Sequence, residues 1–412
     1  MSVVTTDSAT LGVPGLARLA RAGWVVLFVA AAGLYLLRQV YDGPYGKDFT
    51  IFLTGAHIVE DGQIRNLYDL ATQMAFQHQL LGGYTFPGGL LPFNYPPYVA
   101  FFFLPLSFMS SSVAYYLWLG VQGLLLVAWA VWVARSLRDW GLHGEVLRLV
   151  VFAVLSFQPI LEALLMGQMS IVTVVLWWWV LVSWKNERWG QVGVAVALAA
   201  FKPQMAALLV VGLVSQRRWK SVAYLVGAEC VLWVGALLLG GAQVLGGYVD
   251  MLKVSASTVG TLGFYPGSMT NLRGVLTVIG LPESLTTFLA FASWIASVGI
   301  TYVIWRRNWT VIVQFGLTAV LAIFFSPHLY IHDASLLVLG AVCAIAGASS
   351  GAIALQRLNR LLLPFALVCA SLYILVMGVV RSYVPLILSV LLLCGVLSAL
   401  LIPKRRAIPE SS

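Results

Sequence analysis

Residues 170–216 read SIVTVVLWWWVLVSWKNERWGQVGVAVALAAFKPQMAALLVVGLVSQ and contain three apolar runs. The runs are 170–184, 190–201 and 204–216, and short polar clusters around Lys185–Arg188 and Phe201–Pro203 separate them. Apolar runs of this kind favour helices that are surrounded by lipid or protein on every side. The stretch therefore predicts a bundle of helices that cross a membrane one after another.

The composition of the whole chain agrees with this prediction. Of its 412 residues, 60% are hydrophobic and only 9% are charged, and the mean hydropathy is +0.92. Soluble domains carry about 45–50% apolar and about 25% charged residues. A soluble enzyme of this length could not cover its surface with so few charges, and disorder requires low hydrophobicity. The composition therefore indicates an integral membrane protein.

Apolar runs recur along the chain at lengths that approach the roughly 20 residues of a membrane-spanning helix. We predict an all-α polytopic membrane protein, with residues 1–412 forming a single transmembrane domain that ends in a cytoplasmic tail, 403–412. The stretch 95–109 is short and rich in proline, which favours an interfacial helix. About twelve spans are expected, at 24–40, 113–134, 149–166, 170–184, 190–201, 204–216, 220–240, 285–305, 309–325, 334–350, 361–380 and 383–402.

The basic residues predict the orientation of these spans. With 95–109 kept out of the membrane, seventeen of the 24 lysines and arginines fall on one side. Cytoplasmic loops are the ones that carry such an excess. Both termini are therefore expected in the cytoplasm of a bacterial cell, with the protein in the cell membrane. The net charge of +9 then serves as a topology anchor, and a nucleic-acid partner is not needed.

Two long loops are predicted on the exoplasmic side, at 41–112 and 241–284. The first has helical amphipathic spacing over 49–59 and 68–81, followed by the interfacial segment 95–109. The second is rich in Gly, Ser and Thr. On the opposite side, Trp177–Trp179 with Trp184 and Trp189 are expected to form an aromatic belt at the membrane surface.

Polar and ionisable residues gather at the predicted exoplasmic turns. Ionisable groups at membrane depth are costly, so each is a functional candidate. Carboxylate, amide and cationic groups at one face suit a cavity that binds an anionic headgroup and performs acid–base chemistry. The candidates are Asp48, Gln168, Lys202, Asn271, Arg273, His328 and His332.

These positions carry a resemblance to the polytopic GT-C glycosyltransferases, and within them to glycosyltransferase family 87. It runs from about residue 24 to 340, through short motifs that are weak singly and more specific in their order. The motifs are Lys47-Asp48-Phe49, Asn66-Leu67-Tyr68-Asp69, Phe93-Asn94-Tyr95-Pro96-Pro97, Met166-Gly167-Gln168, Phe201-Lys202-Pro203-Gln204, Ser268–Arg273 and Ser326-Pro327-His328 with His332.

The resemblance implies a GT-C-type bundle that transfers a sugar, most often mannose, from a polyprenyl-phosphate donor to an exoplasmic hydroxyl of a lipid or glycan. The resemblance also implies that the transfer inverts the configuration of the sugar, and such a reaction needs one base to deprotonate the acceptor hydroxyl. The family's aspartate after the first span corresponds to Asp48. The phosphate leaving group needs charge stabilisation, which Lys202, Arg273, His328 or His332 could supply. Gln168 and Asn271 are expected to contact donor sugar or phosphate. We expect that the protein uses no cofactor and no metal, and that it is a monomer.

Several alternatives stay open at this point. Asp48 could only cap the helix that begins at Phe49. Lys202 could extend to the interface as an anchor, and Glu229, inside a predicted span, is expected to be structural. A transporter or flippase that moves a glycolipid without chemistry is the rival function. An inactive lipid-binding relative is the third possibility.

Overall fold

The computed structural model describes residues 46–86 and 88–348, and this part of the chain is helical without a strand. The predicted spans 24–40, 361–380 and 383–402, the start of the long loop and the tail 403–412 lie outside the described residues. The helices are α1 Phe49–Glu60, α2 Leu70–Leu80, α3 Pro97–Ser107, α4 Ser111–Asp139, α5 Gly144–Ser156, α6 Gln158–Met166, α7 Ser170–Lys185, α8 Trp189–Ala199, α9 Pro203–Ser215, α10 Trp219–Gly240, α11 Ala242–Ser257, α12 Leu272–Val278, α13 Glu283–Arg306, α14 Val311–Phe324 and α15 Leu337–Ala348.

Short turns bring the helix ends together at two ends of the bundle. The turns after α6 and α8 meet the α14–α15 connection next to Asp48, and we call this the Asp48 end. The turns after α7, α9 and α13 meet at the other end, where Gln216 contacts Trp184 and Gln314. We call it the arginine end after Arg188, Arg217, Arg218, Arg306 and Arg307, which lie in or beside these turns.

Three described helices, α4, α10 and α13, are long and apolar enough to cross a membrane. The helices α7, α8, α9 and α14 are also apolar but have only 11 to 16 residues. The predicted span 149–166 is not one continuous helix, because the chain breaks at Phe157 into α5 and α6. Pro159 in the first turn of α6 cannot donate the backbone hydrogen bond that a continuous helix would need.

Helices are present in the three segments 49–59, 68–81 and 95–109, where the sequence predicted them. On α1, Phe52 stacks on Phe103 of α3 with ring centroids 4.7 Å apart. Gly55 lets the Phe93 ring come so close that a Cβ atom would lie 2.6 Å from it. This aromatic contact fixes α3 against α1, and so places Tyr95 and Asp48 on neighbouring elements.

The buried face of α2 is polar, which corrects the apolar face expected for 68–81. Gln77 donates to the Leu91 carbonyl and accepts from the Leu91 N–H, both at 3.0 Å. Gln73 accepts from the Phe93 N–H at 2.7 Å and donates to the Leu67 carbonyl. The two side chains therefore satisfy the backbone of the extended segment that leads into α3.

The second predicted loop, which is rich in Gly, Ser and Thr, contains α11 and α12. Tyr248 of α11 packs on Tyr68 and on Trp233 of α10, each with centroids 5.6 Å apart. Gly247 lies against the Tyr68 ring. The glycines, which suggested a loop, thus permit close packing of one long loop on the other.

The tryptophans at the arginine end are core residues, so the expected aromatic belt is wrong for most of them. Trp177, Trp178 and Trp184 are buried. Trp184 packs on Trp305 of α13 with centroids 4.3 Å apart. These rings are large enough to fill the gaps between several short helices, and they do so within the bundle.

Candidate active site

Asp48 precedes the first residue of α1, but it does not cap the helix. Its side chain makes no capping hydrogen bond. The carboxylate instead accepts from Gln168 Nε2 at 3.1 Å, and His332 Nδ1 lies 3.4 Å from the same oxygen, Oδ2. The Asp48 side chain is 18% exposed, compared with 7% for Asp333. Asp48 is thus the more accessible of two neighbouring carboxylates.

A left-handed turn at Gly167 presents Gln168 to Asp48. Gly167 has φ +68°, and a Cβ there would lie 2.6 Å from the Phe49 Cβ. Trp118 Nε1 donates to the Gly167 carbonyl at 2.8 Å. The side-chain carbonyl of Gln168 accepts from the Tyr95 hydroxyl at 3.1 Å. Only glycine fits this turn, which explains how a motif Met-Gly-Gln positions an amide beside the carboxylate.

A buried ion pair lies directly beside this carboxylate. Lys202 Nζ, at the start of α9, donates to Asp333 Oδ1 in a short contact. Ser170 Oγ, at the start of α7, donates to the same oxygen at 2.9 Å and lies 3.1 Å from Nζ. Both charged side chains are at least nine-tenths buried. Burial opposes ionisation of Asp333, but Lys202 and then His332 outweigh it and lower the pKa below its usual range.

His332 connects the two carboxylates. Its Nδ1 faces Asp48, and its Nε2 lies 3.5 Å from Asp333 Oδ2. Burial disfavours charge on the ring, but Asp333, and to a smaller extent Asp48, outweigh burial and raise the pKa of His332. Gln168, Asp48, His332, Asp333 and Lys202 therefore form one continuous polar cluster, which we call the carboxylate cluster.

The remaining predicted residues form a second group beside the first. Asn271 caps α12 by accepting from the Gly274 N–H at 3.0 Å, and donates to the Ser326 carbonyl at 2.7 Å. The Thr270 N–H donates to the Leu329 carbonyl at 3.1 Å. These bonds use both polar atoms of the Asn271 side chain, and they tie the α12 segment to the α14–α15 connection.

Three buried donors that have no partner in the described part of the chain lie on these two segments. Arg273 donates through Nη2 to Glu283 at 2.8 Å and Thr287 at 3.1 Å. Among the described residues, Arg273 Nε, His328 Nδ1 and Thr270 Oγ1 are buried without a partner. Burial lowers the pKa of His328 to about 4, and Arg273 adds to this effect. His328 is therefore neutral near pH 7, and a buried group of this kind needs a hydrogen-bonding partner.

The structure brings four predicted residues into the carboxylate cluster: Asp48, Gln168, Lys202 and His332. It places Asn271, Arg273 and His328 in the adjoining group. Sequence reasoning assigned no site role to three members of the site, namely Asp333, Ser170 and Thr270. A carboxylate next to a candidate histidine was a signal for Asp333, whereas a serine and a threonine in short turns carry no signal of their own.

The fold and the site define a class of protein. Apolar helices surround a polar cluster with an accessible carboxylate, adjacent to buried donors, which suits acid–base chemistry next to an anionic group. The model of glycosyltransferase family 87 matches residues 93–327. The chain belongs to glycosyltransferase family 87, and it is an integral membrane protein.

A characterised relative is similar over a large part of the chain. It is the polyprenol-phosphate-mannose-dependent alpha-(1-2)-phosphatidylinositol pentamannoside mannosyltransferase of Mycolicibacterium smegmatis, and the two are 27% identical over 301 residues. The match covers 68% of this chain and 67% of the relative. No solved structure matches the chain. Asp48 and His332 lie outside the residues matched by the family model, so their roles depend on the geometry above.

Proposed function

We propose that this glycosyltransferase moves a hexose, mannose in the first instance, from a polyprenyl-phosphate donor to a hydroxyl of a glycolipid or glycan on the exoplasmic side. The observation that carries this proposal is the Asp48 carboxylate, which is free of a capping role and partly exposed at the mouth of a buried polar cluster. The name of the mycobacterial relative supports a polyprenol-phosphate-mannose donor and a lipid acceptor.

Asp48 is the proposed general base. Gln168 and His332 both approach Oδ2, which orients the carboxylate. Asp333 is a poorer base because Lys202 holds its pKa low. In the proposed step, Asp48 takes the proton of the acceptor hydroxyl, whose oxygen bonds to the anomeric carbon while the bond to the donor phosphate breaks. The polyprenyl phosphate leaves from the opposite face, so the configuration inverts.

The donor phosphate is assigned to the group of buried donors at Thr270, Arg273 and His328. Their unpaired atoms would all donate to an anion. The neutral His328 would act as a hydrogen-bond donor and not as a cation. Lys202 already donates to Asp333 and Ser170, and its proposed effect on the phosphate is electrostatic. Gln168 and Asn271 remain proposed contacts to the donor.

The test is transfer of labelled mannose from polyprenyl-phosphate mannose to phosphatidylinositol pentamannoside by the purified full-length protein and by Asp48→Asn. The substitution keeps the shape and removes the base, so we expect a loss of at least about a hundredfold in kcat. Wild-type activity in the Asp48→Asn protein would refute the assignment of the base.

Asp69→Asn is the matched control. Asp69 also precedes a helix, and it does cap it, accepting from the Thr72 N–H and hydroxyl at 2.7 Å. Asparagine caps helices about as well as aspartate. The control removes one negative charge from the same loop and is expected to transfer at the wild-type rate.

A flippase that moves a glycolipid without chemistry is the competing function. The buried carboxylate cluster and the family both favour the transferase. Reconstituted vesicles separate the two functions: a transferase forms labelled product on one leaflet, whereas a flippase moves the labelled lipid across and leaves it unchanged.

A further inference from the structure

An ionisable side chain lies in the middle of α10, away from the carboxylate cluster. Glu229 is ten residues after the start of α10 at Trp219, and α10 is one of the helices long enough to cross a membrane. Glu229 Oε2 accepts from Trp233 Nε1 at 3.1 Å. Its other oxygen, Oε1, is buried and has no partner among the described residues. A carboxylate in such a place is costly, and cost of this kind indicates a function.

A second unpaired polar atom lies within electrostatic range of this carboxylate. The Tyr98 hydroxyl of α3 is buried and has no partner in the part of the chain that is described. Burial, followed by the charge of Glu229, raises the pKa of Tyr98. The Tyr98 ring packs edge-on against Trp233, with centroids 6.2 Å apart. Tyr98 therefore keeps an unused donor and Glu229 an unused acceptor, and both are available to a third molecule.

Aromatic rings surround these two atoms. Trp233 also packs on Tyr248 of α11, and Tyr248 packs on Tyr68, with centroids 5.6 Å apart in each pair. Burial and then Glu229 raise the pKa of Tyr248 to about 12. We call the group formed by Tyr98, Glu229, Trp233 and Tyr248 the aromatic niche. Rings with polar edges around a carboxylate suit a ligand that has apolar faces and many hydroxyl groups, such as a sugar or cyclic polyol.

The aromatic niche lies level with the carboxylate cluster. The starts of α8 and α10 are joined at the arginine end, where Ser221 Oγ donates to the Trp189 carbonyl at 2.8 Å. From there the eleven residues of α8 rise about 16 Å, to the turn that holds Lys202, and the ten residues to Glu229 rise about 15 Å. Tyr68 in turn donates to the Tyr95 carbonyl at 2.7 Å, and the Tyr95 hydroxyl donates to Gln168.

We infer that the aromatic niche binds the hydroxyl-rich headgroup of the lipid acceptor, with Glu229 accepting from headgroup hydroxyls and Tyr98 donating to one. The inference rests on the proposed function, because it assigns a place to the acceptor of that reaction. The donor is assigned elsewhere, to Thr270, Arg273 and His328. The niche is separate from Asp48 but connected to it through Tyr95 and Gln168.

The first experiment measures transfer from polyprenyl-phosphate mannose to phosphatidylinositol pentamannoside by Glu229→Gln and Tyr98→Phe. A hydrogen bond to a charged group contributes enough for about a tenfold effect. We expect the KM for the acceptor to rise about tenfold in Glu229→Gln, with a smaller rise in Tyr98→Phe. The KM for the donor and kcat should stay within about twofold. An unchanged acceptor KM, or a fall confined to kcat, would overturn the inference.

Matched controls separate the niche from general damage to the fold. Tyr224→Phe removes a hydroxyl from the opposite face of α10, where Tyr224 packs on Gly190 and Gly193. Asp250→Asn neutralises an exposed carboxylate on α11. Both should leave the acceptor KM unchanged. An equal rise of KM in the controls would show that the niche has no special role.

The second experiment does not depend on transfer. Binding of radiolabelled phosphatidylinositol pentamannoside is measured on the full-length Asp48→Asn protein, with and without Glu229→Gln. Saturable binding that weakens about tenfold with Glu229→Gln supports the niche, even if wild type transfers nothing and the proposed function fails. Equal binding to both proteins, or no saturable binding, overturns the inference.

Discussion

At the residue scale, the site depends on charge compensation within a buried cluster. Lys202 and Asp333 are each more than nine-tenths buried and neutralise one another. Removal of one partner leaves an uncompensated charge, which costs about 3–5 kcal/mol, whereas removal of both leaves none. Asp333 therefore stabilises the fold by neutralising Lys202, and it affects the proposed chemistry by positioning His332.

The pair predicts a non-additive double-mutant cycle. Asp333→Asn should lower the free energy of unfolding by about 3–5 kcal/mol because Lys202 is left charged and buried. The double variant Lys202→Met with Asp333→Asn should be more stable than Asp333→Asn alone. Thermal unfolding in detergent measures all four proteins. Losses in the double variant equal to the sum of the single losses would contradict the prediction.

At the element scale, the turn between α6 and α7 determines where Gln168 lies. Gly167 combines a left-handed backbone with a contact that leaves no room for a Cβ. Gly62, after α1, has a similar φ of +74°, but a Cβ added there would meet nothing within 4 Å. A substitution at Gly62 therefore tests the effect of backbone strain alone, whereas a substitution at Gly167 adds the effect of steric crowding.

We expect Gly167→Ala to abolish most transfer and Gly62→Ala to preserve it. Both substitutions place alanine at positive φ, with a strain of about 1–2 kcal/mol. In Gly167→Ala the new methyl group also meets the Phe49 Cβ, which moves Gln168 away from Asp48. Mannose transfer and thermal unfolding are measured together. Normal transfer by Gly167→Ala would show that the turn does not position the site.

How far the sequence predicts these elements depends on the kind of signal. The apolar runs predict α7 to α10 well, because burial on all sides leaves a clear pattern in composition. The break at Phe157 was missed because the apolar run continues through it, although Pro159 was a local signal. The polar buried face of α2 was missed because it depends on specific side-chain hydrogen bonds and not on hydrophobic period. The candidate residues were found because charge is rare in this chain, whereas Ser170 and Thr270 are ordinary residue types.

At the scale of the whole molecule, the two ends of the bundle differ in charge. The arginine end collects Arg188, Arg217, Arg218, Arg306 and Arg307, and the opposite end holds the site. Since basic residues mark cytoplasmic loops, this distribution supports an exoplasmic site. Helices α8 and α10 start together at the arginine end, but α8 has 11 residues and α10 has 22. The carboxylate cluster, which lies at the end of α8, is therefore about halfway along α10.

This orientation predicts which cysteines a membrane-impermeant maleimide reaches. In a variant without the four native cysteines, Asp61→Cys beside α1 should be labelled in intact cells. Asn186→Cys, in the turn after α7, should be labelled only after the membrane is permeabilised. Labelling of Asn186→Cys in intact cells, or protection of Asp61→Cys, would reverse the proposed orientation. Both side chains are exposed, so access is decided by the side of the membrane.

The paired glutamines of α2 set the register of the chain that follows. Four residues along a helix advance about 6 Å, close to the advance of two residues in an extended chain. Gln73 and Gln77 can therefore bind Phe93 and Leu91 in the manner of a neighbouring strand. A slip of one residue would break these bonds and carry Tyr95 about 3.3 Å along the chain, beyond hydrogen-bonding reach of Gln168.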